Sequence, residues 1–221
     1  MNLDHTKKII QTHGFSAGVH DLCYRGVNRV TELTLLVGMR ITMSTLDRAF
    51  IDGDAAGWGF IERDALLDQV RKHGETTLDM DEATIASATA RGDRCYGVIV
   101  DGMLVSYGWY STQPTEAFEG LTLHFSSDYA YMYKGFTVPA FRGKRLHGIG
   151  MARALAAYAA EGKTGLVSFV QSNNFASLKS CYRMGYVDFG RLLAAKVNGR
   201  FLTHATKGCK PYGFRLEAVS S

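Results

Sequence analysis

The sequence predicts an α/β protein built around a mixed sheet. Three observations carry that reading. From residue 82 onward, short β-rich runs alternate with segments of helical spacing. Asp101-Gly102 separates two apolar runs, a strong two-residue hairpin signal. Val138-Pro139 ends another run and feeds a basic, glycine-bearing turn, after which helical spacing resumes.

In chain order, residues 20–31 carry Leu22, Cys23, Val27 and Val30 at helical spacing. Residues 33–43 are rich in leucine and β-branched residues and read as a strand. Residues 65–73 read as a short helix. This first part, 1–77, is taken as an elaboration packed on a main domain of residues 78–221. Residues 82–91 are helical, and 94–100 and 103–110 are the strands of the Asp101-Gly102 hairpin. Residues 130–138 form a further strand. The 148–160 helix places Ile149, Ala152, Leu155, Ala156 and Ala159 on one face. Residues 166–170 make a short apolar strand of the buried kind. A helix over 174–184 stops at Gly185, as a C-terminal glycine does. Residues 186–197 and 201–216 then pair around Asn198-Gly199.

A chain of 221 residues can bury one sizeable core. A net charge of +4 is mild, with no basic face or tail, so nucleic acid is not an expected partner. Cys23, Cys95, Cys181 and Cys209 form no CxxC pair, which argues against both a zinc site and a disulfide framework. No metal is expected. No apolar run reaches membrane-spanning length, and residues 1–11 lack a signal-peptide core. The expected setting is a reducing cytoplasm.

Residues 136–150 hold the chemistry. Gly143 lets the chain turn tightly and leaves N–H groups uncovered. A helix start adds unpaired donors and a partial positive charge. Arg142, Lys144 and Arg145 add full charges. Together they suit a phosphate or pyrophosphate.

With that strand, turn and helix in view, residues 82–216 resemble the GNAT superfamily of acyl-CoA-dependent N-acyltransferases. Val138-Pro139-x-x-Arg142-Gly143-Lys144 is similar to the family's donor-binding strand and pyrophosphate loop. Asn174-x-x-Ser177-Leu178, followed by Gly185-Tyr186, resembles its Asn helix ending in Gly-aromatic. The resemblance implies a partly splayed, mixed sheet flanked by helices. It also implies transfer of an acyl group, most simply acetyl, from acetyl-CoA or another acyl-CoA to a small-molecule amine. Acyl carrier protein is an alternative donor, and a non-catalytic acyl-CoA-binding domain an alternative role. By the same resemblance, backbone groups near Phe136 and Val138 pair with pantetheine. Arg142, Gly143, Lys144, Arg145, His147 and Gly148 surround the pyrophosphate. Asn174 and Ser177 meet the donor further along.

Three departures leave alternatives open. The loop can be read from Arg142, which puts Arg145 and His147 where glycines are usual and starts the helix near His147. It can also be read as Arg145-x-x-Gly148-x-Gly150. The family's tyrosine acid falls on Cys181, with Tyr182 one residue later. Either Tyr182 donates to the leaving thiolate, or it joins Phe175 and Leu178 in a packed stripe and no tyrosine acid is needed. Cys181 by itself reads as a small core residue. The family's base positions fall on Lys134 and Met132, with Tyr131 and Tyr133 on the other face. Neither is a usual base, so the proton acceptor is left open.

Overall fold

The computed structural model describes residues 3–29, 31–52 and 56–219. Two short helices, α1 (Leu3–His13) and α2 (Phe15–Val27), form a hairpin at the start. Their apolar spacing is legible, although α2 begins and ends earlier than 20–31. Asn28 closes the helix, and its side chain accepts from Leu33 N at 2.9 Å. Val30 lies outside the described residues.

Next comes β1 (Glu32–Ile41), and its place decides the architecture. Its apolar residues alternate between faces, as strand geometry requires. Val37, Met39 and Ile41 enter one core, and Leu36 enters the opposite one. A strand buried on both faces belongs inside a sheet. β1 pairs antiparallel with β8 (Gly165–Gln171), from Leu36–Gln171 to Ile41–Leu166. On its other edge it pairs antiparallel with β9 (Val187–Val197). Residues 1–77 therefore supply an inner strand of the main sheet, and also its edge strand β2 (Trp58–Ile61). The boundary expected near residue 77 does not divide the sheet.

The helices α3 (Arg63–His73), α4 (Glu75–Leu78) and α5 (Glu82–Ala90) follow. The hairpin β3 (Arg94–Val100) and β4 (Met103–Ser111) turns at Asp101 (φ 50°) and Gly102 (φ 79°), both left-handed as a tight turn of this kind demands. β5 (Thr115–Phe118) and β6 (Leu121–His124) lead to β7 (Tyr129–Thr137). Helix α6 (Leu146–Ala160), β8, helix α7 (Phe175–Met184), β9, β10 (Arg200–Ala205) and β11 (Arg215–Ala218) complete the chain.

Eight strands run β10-β9-β1-β8-β7-β4-β3-β2; the sheet is antiparallel except for the β7–β8 pair. One face carries α6 and α7. They bury Met151, Ala152, Ala154, Leu155, Tyr158, Leu178 and Met184 against Val37, Met39, Tyr110 and Leu166. The buried stripe of α6 is thus rotated from the expected one, because Ile149, Ala156 and Ala159 are only half-buried. The other face is shared. α3 and α5 cover Cys95, Leu104, Tyr107 and Trp109. A three-stranded sheet, β11-β6-β5, covers Leu36, Tyr131, Val167 and Leu192.

The expected single strand over 201–216 is two. A 3-10 turn at Lys207–Tyr212 breaks it, with Pro211 inside and Gly213 at φ 57°. β10 stays in the main sheet and β11 joins the small one.

Candidate functional site

The site begins where two parallel strands part. β7 and β8 pair only at Tyr129–Gly165, Ala130–Leu166 and Tyr131–Val167. At the next residues Ser168 Oγ donates to Met132 O at 3.1 Å, and beyond them β7 and β8 are unpaired. β7 stays bound to β4 throughout this stretch.

A bulge in β7 sets which side chains face which way. Gly108 opposes Gly135 and Trp109 opposes Lys134, but Tyr110 opposes Met132. Tyr133 is the extra residue. Lys134 therefore does not share a face with Met132. Tyr133 donates to Asp93 Oδ2 at 3.0 Å, and Lys134 pairs with Asp79 Oδ2 at 3.1 Å. Simple alternation puts Tyr133 and Lys134 on opposite faces; the bulge defeats it.

Past the bulge, Val138 N donates to Val105 O at 2.9 Å, so its N–H is spent on β4. Strand edges alternate, and Phe136 shares Val138's direction. Gly135 and Thr137 are the residues whose backbone groups face the gap. The backbone groups on the open side of β7 are thus those of Gly135 and Thr137, one residue away from Phe136 and Val138. Val138 is buried among Leu104 and Tyr107, and the Phe136 ring packs 5.9 Å from that of Tyr107.

The turn itself is formed by Pro139–Phe141, one 3-10 turn, then Gly143 at φ 83° and Arg145 at φ 61°. Arg145 holds a left-handed conformation that non-glycine residues adopt at a cost. It is the residue before α6, which starts one position earlier than His147. Among the described residues no backbone acceptor engages the N–H groups from Gly143 to Gly148. These are the free donors of a helix start extended by a turn.

Three guanidiniums gather there. Arg142 Nε donates to Thr137 O at 3.1 Å, folding the side chain back over the strand end. Arg145 lies over the Phe50 ring, with Cζ 5.0 Å from its centroid. Arg183 comes from the last turn of α7. All three line one pocket of about 250 Å³, together with Gly143, Gly148 and Ser180. Lys144 is not among the residues that line the pocket; its Nζ lies 5.2 Å from the ring centroid of Phe141, which does line it.

Gly148 and Gly150 are required by packing. A Cβ at Gly148 would stand 2.6 Å from Phe50 Cε1 and 2.9 Å from Met184 Sδ. One at Gly150 would stand 2.6 Å from Trp58 Cζ3. Both glycines are inside α6, with the turn that ends at Arg145 before them.

His147 also lines the pocket, but its ring is turned inward onto Gly135 and Met132. Burial lowers its pKa, so the imidazole is neutral near pH 7.

The remaining expected residues lie elsewhere. Asn174 Oδ1 accepts from Ser177 N at 3.2 Å, capping α7. Asn174 borders a separate hollow with His5, His13 and Asp21, so it and Ser177 are not brought to the loop pocket. Cys181 packs against the α6-side core, and burial pushes its thiol up to about 11. Tyr182 is 47% exposed. Burial raises its pKa, and nearby Asp188 adds to the rise. It does not line the pocket; on this helix Ser180 and Arg183, at i and i+3, do.

Arg183, Ser180 and Phe50 were not identified from sequence. The first two are a helical i, i+3 pair on the Asn helix, a signal that was available. Phe50 carries no local signal. It is buried against Gly148 by a 3-10 turn, Arg48–Phe50, nearly a hundred positions upstream.

Among the described residues no group of three or more His, Cys, Asp or Glu is placed to hold a metal. No described helix is long and apolar enough to cross a membrane.

No protein-family model matches this sequence, and no curated protein matches it. Solved structures do. An acetyltransferase of the GNAT family from Colwellia psychrerythraea shares 13% identity, with 78% of this chain and 60% of that one covered and a TM-score of 0.51. The fold is that of the GNAT N-acetyltransferases. A GCN5-related N-acetyltransferase-like protein from Streptococcus suis 89/1591 is also similar, at 13% identity, 84% and 68% coverage and a TM-score of 0.49. The chain spans between 58% and 66% of the length of three of the structures it matches. In this GNAT fold the parting strands are β7 and β8, and the loop pocket lies at the end of β7.

Proposed function

We propose that the protein is an N-acyltransferase that moves an acyl group, most simply acetyl, from coenzyme A to the amine of a small molecule. One observation carries the reading. Free N–H groups from Gly143 to Gly148 and the guanidiniums of Arg142, Arg145 and Arg183 meet at a pocket beside the β7–β8 gap. That combination binds a polyphosphate.

In the proposed reaction the amine nitrogen attacks the thioester carbonyl carbon. The C–S bond breaks, the sulfur leaves as thiolate, and the nitrogen loses one proton. The loop and its arginines hold the donor's pyrophosphate, and Gly135 and Thr137 offer backbone groups to the pantetheine arm. Positioning of this kind supplies much of the rate. His147 supports the proton step, being kept neutral by burial and lying on the gap-facing Gly135.

Calorimetric titration with acetyl-CoA tests the reading. Binding that weakens with added salt is expected, since the contacts are ionic. Preference for longer acyl chains would mark a long-chain enzyme. Binding without turnover across a broad amine panel would mark an acyl-CoA-binding domain. Absence of binding by acetyl- and longer acyl-CoA would overturn coenzyme A as donor and leave acyl carrier protein.

A further inference from the structure

The eight-stranded sheet has two open edges, β2 and β10, and they are guarded differently. β2 is four residues long, and all of them are half-buried. β10 is six residues long, and Arg200, Leu202, Thr203 and His204 are exposed. Leu202 is 60% exposed, and Val197, across the Asn198-Gly199 turn, is 47% exposed. Edge strands are normally blunted by shortness, proline, a bulge, charge or a cover. β10 has no proline, and its ladder with β9 runs without a bulge from Arg200–Val197 to Ala205–Leu192. Charge is its one guard.

The turn decides which backbone groups face outward. Asn198 (φ 49°) and Gly199 (φ 77°) make a two-residue hairpin turn. The pair that flanks such a turn, Arg200–Val197, is hydrogen-bonded, and bonding alternates from there. Thr206 N donates to Arg191 O at 3.0 Å, in phase with that alternation. Arg200, Leu202 and His204 therefore spend their backbone groups on β9. The N–H and C=O groups of Phe201, Thr203 and Ala205 point away from the sheet, with no partner among the described residues. An extended chain can pair with all three.

Charge selects the occupant. Arg200, His204 and Lys207, just past the strand, are exposed, and none has an acidic partner among the described residues. A second copy of this chain is therefore disfavoured. Antiparallel self-pairing centred on Leu202 sets Arg200 opposite His204 of the other copy. Centred on Thr203, it sets Arg200 opposite Thr206, beside Lys207. Either way cation meets cation.

The geometry points to β10 as the docking edge for an acidic, extended segment of another protein. The segment adds as an antiparallel strand, with acids opposite Arg200 and His204 and an aliphatic side chain opposite Leu202. Main-chain bonds to Phe201, Thr203 and Ala205 hold it, and charge chooses it. β9, β1 and β8 stand between β10 and the β7–β8 gap, so this surface does not rest on the acyltransferase reading.

The probe is the capped peptide Thr-Glu-Thr-Val-Thr-Glu, whose Val meets Leu202 when its last Glu meets Arg200. Fluorescence anisotropy with the full-length protein should show saturable one-to-one binding that weakens with added salt. Replacing both Glu by Lys should weaken it at least about tenfold. N-methylation of the third peptide residue, whose N–H meets Thr203, should cost at least about tenfold. N-methylation of the fourth, whose N–H points away, should cost less than about threefold. Thr203→Pro removes an outward N–H where an edge strand tolerates proline, so the variant should fold and lose the peptide by about tenfold. Arg200→Glu should prefer the Lys peptide to the Glu peptide. The proposal is overturned if the Glu peptide does not bind, if the Lys peptide binds as well, or if the two N-methyl peptides bind alike. It is also overturned if a folded Thr203→Pro binds unchanged or Arg200→Glu keeps the wild-type preference. Dimers of the wild-type protein that Thr203→Pro abolishes would overturn it too, and make a second copy the occupant.

Discussion

His147 rests on Gly135 so closely that a single methyl group at Gly135 would overlap the imidazole ring. The contact joins the first turn of α6 to the gap-facing edge of β7. It explains why a strand that needs side chains for packing carries a glycine there. Gly135→Ala should therefore overpack this point and cost about 1–3 kcal/mol. Adding His147→Ala should recover part of the loss. Denaturant unfolding of the single and double variants measures both; additive losses would contradict the contact.

Burial lowers the pKa of His147 from its ordinary 6.5, so the unfolded chain binds the proton more readily than the native one. Between the two pKa values the unfolded state holds more protons, and stability must rise with pH. The native protein should thus lose stability as pH falls below about 6.5. His147→Gln should flatten that part of the pH–stability curve. An unchanged slope would mean that the imidazole is not the group responsible.

The three pocket arginines should not be equivalent to Lys144. Arg142→Ala, Arg145→Ala and Arg183→Ala are each expected to weaken coenzyme A by about ten- to a hundredfold, the worth of a charge-assisted bond. Lys144→Ala should change it by less than threefold or so, as an exposed charge outside the pocket would. Titration at two salt concentrations reads the order directly. If Arg183→Ala binds like wild type, the α7 side of the pocket does not touch the donor.

Tyr182 and the pocket lie on different flanks of α7, about 100° apart for adjacent residues. Tyr182→Phe is expected to leave donor affinity within about twofold and turnover nearly unchanged, because the side chain is half in solvent beside Asp188. A drop in kcat of the size general acids contribute, about a hundredfold or more, would show that the helix shifts on donor binding and brings the phenol in.

β1 has partners on both edges, so a chain lacking residues 1–41 should not fold. Its loss would bare the facing edges of β8 and β9 and open both cores at once. Circular dichroism and amide exchange of the truncated chain check this. A cooperative, protected domain would contradict the central role of the strand.

The contrast between β1 and β10–β11 shows what local sequence can carry. The apolar, β-branched run over 33–43 announces a strand, but its neighbours are chosen by residues 165–197, which share no local pattern with it. In 201–216 the break was written in Pro211, Gly208 and Gly213, residues that interrupt strands for backbone reasons. The small sheet escaped because β5 and β6 are four residues each, too short for alternation to register. At the site, the turn was legible because glycine, proline and charge act locally. Phe50 was not legible, because tertiary packing alone brings it to the turn, whereas Arg183 and Ser180 left a helical i, i+3 signal that went unread. The orientation of Lys134 was hidden by the bulge, which no alternation rule contains.

β1 ends at Ile41, and its two sheet neighbours, β8 and β9, begin only at Gly165 and Val187. Until residues near 197 emerge, a nascent strand buried on both faces in the finished molecule has neither edge occupied. Closure of the sheet must then bring together segments far apart in the sequence, a slow kind of step. The stretch from β1 to β9 accordingly carries an unpaired apolar strand, an aggregation hazard, until its later half has been made.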